Sequence, residues 1–121
     1  MDGKVVYIEL ALQNVQTTLD FYKEIFHWTF EESFISSQKY IMFETPNRQF
    51  LGGLDANIKP SLDGPNVYLE VHDIDAVIKQ VLTYSNTAII KPKTLISEAY
   101  GSYALIQDPS GNKIGLQENS K

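Results

Sequence analysis

The sequence contains no cysteine, a single arginine (Arg48) and two histidines among 121 residues. Without cysteine there can be no disulfide, no thiolate zinc site and no cysteine nucleophile, which suits a reducing compartment, so a cytoplasmic location is expected. One arginine and a net charge of −5 exclude the clustered positive charge that a nucleic-acid partner requires. The lysines are scattered among acidic residues, so an anionic membrane surface is a poor partner as well. Met1 to Lys4 lead straight into a strand-like run with no apolar signal core, and no stretch of 18 apolar residues occurs anywhere. Gly52-Gly53 lacks the spacing of a nucleotide loop, and no Ser/His/Asp arrangement stands out. What remains is a small-molecule or protein partner.

Hydrophobic residues make up 43% and charged residues 21%, the balance of a folding domain, and the length suits one domain over 1–121. Val5 to Leu12 alternates apolar Val6, Ile8 and Leu10 with Tyr7, Glu9 and Ala11, which predicts a strand. Asn14 is placed to cap a helix carrying Val15, Leu19, Tyr22 and Phe26 at helical spacing and ending near His27. Strands are predicted at Trp28–Glu32, Lys39–Glu44 and Phe50–Asn57, separated by Ser36-Ser37 and Thr45-Pro46-Asn47. This is a βαβββ unit over 4–57, followed by a Pro- and Gly-containing linker over 58–65.

The pattern then restarts. VYLEV at Val67–Val71 echoes VYIEL at Val6–Leu10, and Asp73 caps a helix with Ile74, Val77, Ile78 and Val81. Strands are predicted at Thr87–Ile90, Ser102–Gln107 and Lys113–Gln117, the last two joined by the Asp108-Pro109-Ser110-Gly111-Asn112 turn. The second βαβββ unit spans 66–118, and the fold class is α+β: a cupped mixed sheet with helices on its outer face. If Val6, Ile8, Leu10 and Val67, Leu69, Val71 face the helices, then Tyr7, Glu9, Asn66, Tyr68 and Glu70 line the concave side. Tyr103 and Gln117 join them as candidate ligand-binding residues.

These residues resemble the vicinal oxygen chelate superfamily of glyoxalase I, bleomycin-resistance proteins, fosfomycin-resistance enzymes and extradiol dioxygenases. The resemblance is carried by Leu19-Asp20-Phe21-Tyr22, Phe26-His27-Trp28, Gly52-Gly53-Leu54, Val71-His72-Asp73-Ile74-Asp75, the Asp108–Asn112 turn and Ile114-Gly115-Leu116-Gln117. The subgroup it is most similar to is that of predicted enzymes related to lactoylglutathione lyase. Metal-dependent members place a His or Glu on the first strand, a His on the strand opening the second unit and a Glu on the last strand. The corresponding positions here are Tyr7, Asn66 and Gly115, none of them a usual ligand for Zn, Ni or Fe. No cofactor is therefore expected; the alternative is a carboxylate site of Glu9, Glu70 and Asp55 for Mg, Mn or Ca. His27 departs from the Gly more usual in this subgroup at a left-handed helix end, a conformation that His tolerates.

Each candidate has a plain reading beside the functional one. Glu9 and Glu70 are a carboxylate pair poised for proton transfer, or two solvated carboxylates at the mouth of the cup. Tyr7, Tyr68, Tyr103 and Tyr40 form a stacking wall for a planar ligand or are buried aromatics filling the cup, the second reading being favoured for Tyr40 and the first for Tyr7 and Tyr68. His72 reads as a surface residue, and Phe21, Tyr22, Ile25 and Phe26 as packing. The expected function is metal-free binding of a small neutral or cationic organic molecule in the cup. The alternatives are a metal-dependent lyase, isomerase or dioxygenase, and a dimerising module. The resemblance also implies a homodimer.

Overall fold

Alternation and helical periodicity generate, in chain order, β1 (Ile8–Ala11), α1 (Val15–Phe26), β2 (Thr29–Ile35), β3 (Gln38–Glu44), β4 (Leu51–Asp55), β5 (Val67–Val71), α2 (Ile74–Val81), β6 (Ala88–Ser97), β7 (Gly101–Gln107) and β8 (Lys113–Glu118). The computed structural model describes residues 2–35, 38–46 and 51–119. The expected Ser36-Ser37 turn, Asn47 and the start of the fourth strand at Phe50 lie outside the described residues. Two four-stranded mixed sheets result, ordered β1-β4-β3-β2 and β5-β8-β7-β6. In each, the strand preceding the helix pairs in parallel with the last strand of its unit, and the remaining pairs are antiparallel. This is the expected α+β fold of two βαβββ units.

The first strand is shorter than its alternation suggests. Its register with β4 runs from Ile8 opposite Gly52 to Ala11 opposite Asp55, and Val6, outside that register, is 66% exposed instead of facing the helix. The strand expected to end at Ile90 continues to Ser97 through Pro92. It is an edge strand, where a missing N–H costs no ladder bond, and its register with β7 shifts on both sides of Lys91. Helix α2 begins as expected, with Asp73 Oδ1 accepting from the Ala76 N–H at 3.2 Å. Asn14, in contrast, does not cap α1 with its side chain. It sits at φ 50° and its Nδ2 donates to the Pro109 carbonyl at 2.9 Å. Helix α1 ends in the left-handed conformation at His27, φ 60°, whose N–H bonds the Lys23 carbonyl at 3.1 Å.

One apolar cluster runs through both units, from Leu10, Phe21, Tyr22 and Leu54 to Ile74, Ile106, Ile114 and Leu116. Polar contacts close it. The Asp108–Asn112 turn, expected to be chosen for backbone geometry alone, also buries its side chains against the β1–α1 junction of the other unit. The Asn112 amide acts as a substitute strand partner, Oδ1 accepting from the Ala11 N–H at 3.0 Å and Nδ2 donating to the Ala11 carbonyl at 2.8 Å. Ser110 Oγ accepts from the Gln13 N–H at 2.8 Å and lies 2.6 Å from Thr18 Oγ1. Asp108 receives four donors: the N–H groups of Ser110 and Asn112 on Oδ1, and Tyr22 Oη and Asn112 Nδ2 on Oδ2.

Candidate functional site

On the first sheet, cross-strand register puts Glu9, Gly53 and Met42 in one row, with Tyr40 two residues along on the same face. Gly53 is small because a ring lies on it: a Cβ there would fall 1.7 Å from Tyr40 Oη. Held in that place, Tyr40 is only 7% exposed and donates its hydroxyl proton to Glu9 Oε2 at 2.7 Å. Its oxygen is therefore the acceptor for Tyr7 Oη, 2.9 Å away. Burial, then the bonds to Tyr7 and Glu9, push the Tyr40 hydroxyl well above the ordinary tyrosine range. The result is a fixed chain, Tyr7 to Tyr40 to Glu9, whose outer member is 37% exposed.

The second sheet repeats the device with different residues. Tyr68 lies over Gly115, where a Cβ would come within 2.4 Å of the ring. Gln117 stands opposite Tyr103 on one side and Glu70 on the other. The Tyr68 and Tyr103 rings are tilted at 60° with centroids 6.4 Å apart. Tyr68, Tyr103, Gln117 and Ile96 surround a cavity of about 260 Å³. Lys91 Nζ stands 5.6 Å from the Tyr103 ring centroid, an aromatic face already satisfied by a cation.

The seven expected residues thus fall into four groups. Tyr7 and Glu9 are joined through Tyr40; Tyr68, Tyr103 and Gln117 share one cavity; Asn66 is exposed just ahead of β5. Glu70, opposite Gln117, is hydrogen-bonded by Asn119 Nδ2. Glu9 and Glu70 lie on different sheets with different partners. Two contributors escaped the sequence reading, Lys91 and Ile96, which lie beyond the expected end of β6. Tyr40 is buried, the reading favoured for it, yet it also joins Tyr7 to Glu9; Gly53 was the available sign that a ring crosses the sheet there.

A resident metal does not suit these residues. Gly115 offers no donor, the Tyr7 hydroxyl is engaged by Tyr40, and Asp55 turns an oxygen back to the Asn57 N–H at 2.8 Å. Among the described residues no three of His, Asp or Glu gather in a metal-holding group.

The architecture is shared with solved structures at low sequence identity. TnmS3, an antibiotic-binding protein from Streptomyces sp. CB03234, superposes with a TM-score of 0.73 at 21% identity over 99% of both chains. A glyoxalase family protein from Bacillus cereus gives 0.75 at 17% identity over 99% of this chain and 98% of the other. The chain has the glyoxalase/bleomycin-resistance fold. The fosfomycin resistance protein FosX from Listeria monocytogenes, complexed with Mn(II) and sulfate, carries the same fold with a TM-score of 0.71 and 17% identity over 99% of this chain and 93% of that one. No family model and no curated protein sequence matches the chain. Since this fold serves both binding proteins and metal enzymes, it does not choose between them.

Proposed function

We propose that this protein binds a small planar organic molecule, neutral or cationic, on the concave faces of its sheets without a metal. The observation that carries the reading is the cavity of Tyr68, Tyr103, Gln117 and Ile96, with two tilted rings for stacking and an amide for orientation. Gly115 supports it, because a strand residue without a side chain leaves Tyr68 lying along the sheet and keeps the cavity open. TnmS3, with the same fold, is an antibiotic-binding protein. A homodimer in the cytoplasm belongs to the same proposal: Leu95 and Ile96 on the edge strand β6 are 69% and 47% exposed, apolar surface of the kind that a second copy covers.

The test is metal content of protein purified without chelator or affinity-tag metal, followed by thermal shift against Mg, Mn, Fe, Ni and Zn and then against planar neutral, cationic and anionic compounds. Absence of metal, a shift with planar compounds and its loss in Tyr103→Ala support the reading. Stoichiometric metal, or a shift confined to one cation, overturns it and favours a metal-dependent lyase, isomerase or dioxygenase.

A second reading, a metal-free acid–base enzyme, is favoured by the Tyr7–Tyr40–Glu9 chain, which could pass a proton between a bound molecule and a carboxylate. Turnover that Glu9→Gln abolishes without weakening binding would decide for it.

A further inference from the structure

Apart from the concave faces, the two units leave a groove between them of about 710 Å³. Its first wall is apolar and belongs to unit one: Ile8 from β1, Phe26 from the end of α1, Trp28 and Phe43. Trp28 is stacked between Phe43, 4.1 Å away at 11°, and Tyr22, 4.3 Å away at 13°, so this wall is rigid. Its second wall is β5 of unit two, an edge strand bonded only to β8, with Glu70 and exposed His72 at the rim. Among the described residues Glu70 is the one carboxylate lining the groove, and no lysine or arginine among them lines it.

We propose that this groove is a second ligand site, taking an aromatic or aliphatic organic cation whose apolar part lies against Phe26 and Trp28 and whose charge faces Glu70. The Glu70 carboxylate attracts such a molecule and repels an organic anion of the same size, while the apolar wall takes its hydrocarbon part. The volume is in the range that small-molecule sites occupy, and the wall is already formed without the ligand. The groove adjoins the Tyr103 cavity at Tyr68 but does not include Tyr103, Gln117 or Ile96, and its occupation can be read separately because Trp28, on its apolar wall, is the only tryptophan in the chain.

The experiment titrates the protein with benzyltrimethylammonium and, in parallel, with phenylacetate, exciting at 295 nm to follow Trp28 alone. Three proteins are compared: the parent, His72→Lys, which puts a fixed positive charge on an exposed rim position, and Tyr103→Ala, which alters only the concave cavity; circular dichroism checks that each is folded. The expected result is a saturable change in Trp28 emission with the cation, at least tenfold weaker with phenylacetate. Affinity for the cation should fall about tenfold in His72→Lys and change less than twofold in Tyr103→Ala. No saturable change, equal affinity for the two compounds, or a response lost in Tyr103→Ala and indifferent to His72→Lys overturns the proposal. The last of these would assign the response to the Tyr103 cavity, whereas the first two remove this proposal and leave the concave-face reading to its own thermal-shift test.

Discussion

Tyr22 Oη lies 2.6 Å from Asp108 Oδ2, joining the helix of the first unit to the β7–β8 turn of the second inside the core. Both groups are fully buried, and burial raises the pKa of each; at Asp108 the hydrogen bonds from Tyr22, Asn112 and Ser110 oppose that rise. A carboxylate with four donors and no solvent exposure is stable only while the set is complete. Tyr22→Phe removes one donor and should cost about 1.5–3 kcal/mol in urea unfolding, the range for a bond to a charged partner. Asn112→Ala should cost at least as much, because Ala11 loses both its bonds. Sharing Asp108, the two changes should be non-additive by more than about 0.5 kcal/mol in a double-mutant cycle. Additive losses, or a Tyr22→Phe effect below that size, would mean that the units are held by apolar packing alone.

Gly53 and Gly115 each carry a tyrosine ring, and replacing them tests two different consequences. Gly53→Ala drives a methyl group into buried Tyr40 and should cost about 1–3 kcal/mol, the usual penalty of overpacking. Combined with Tyr40→Ala, which vacates the space, it should cost less than the sum of the two. Gly115→Ala meets Tyr68, which is 44% exposed and free to swing outward. It should therefore leave the unfolding midpoint nearly unchanged while weakening small-molecule binding on that face. Equal stability losses for both alanines would show that Tyr68 is held as firmly as Tyr40.

Much of the fold was legible because the sequence repeats itself: alternation at Ile8–Leu10 and Val67–Val71 and the cap at Asp73 are local signals that tertiary packing then reinforces. Where the reading failed, a distant partner had overruled the local signal. Asn14 has the residue type of a cap, yet it bonds Pro109, 95 residues away, and the strand expected to end at Ile90 continues through Pro92 because it lies at the edge of its sheet. Period two put Tyr7, Glu9, Asn66, Tyr68 and Glu70 on one face, and the fold brings Tyr68 beside Tyr103 and Gln117 around one cavity. The Tyr40–Glu9 bond was not legible, since it depends on a glycine of the strand between them in the sheet and on a ring orientation that no spacing specifies.

Raised tyrosine pKa values carry a pH dependence of definite sign. An unfolded tyrosine ionises near pH 10, whereas burial, then hydrogen bonds to Tyr7 and Glu9, hold Tyr40 protonated in the fold beyond that pH. Tyr84 is pushed up to about 12 by its bond to Glu24 and then by burial. In the alkaline range the unfolded chain releases protons that the folded chain retains, so stability is intact below about pH 10 and falls as pH rises through the folded values. Urea midpoints measured from pH 8 to 12 should drop above pH 10, less steeply in Tyr40→Phe and Tyr84→Phe. Parallel curves for parent and variants would assign the alkaline loss to other groups.

At acid pH the group to watch is Glu118, which the sequence reading passed over. Its Oε1 accepts from the Ile74 N–H at 2.8 Å, satisfying a free donor of the first turn of α2, and its Oε2 pairs with Lys93 Nζ at 3.1 Å. The Ile74 N–H first and Lys93 second hold the Glu118 carboxyl below the usual carboxylate range. A depressed folded value means that the unfolded state binds the proton more readily, so this stabilisation is present above the unfolded pKa of about 4.3 and disappears as pH falls through the folded value. Glu118→Gln should therefore lower the melting temperature at pH 7 and converge on the parent below pH 4. Lys93→Ala should produce a smaller shift of the same shape, because it leaves the bond to α2 intact. Parent and Glu118→Gln curves that stay parallel down to pH 3 would show that Glu118 acts through shape and not through its charge.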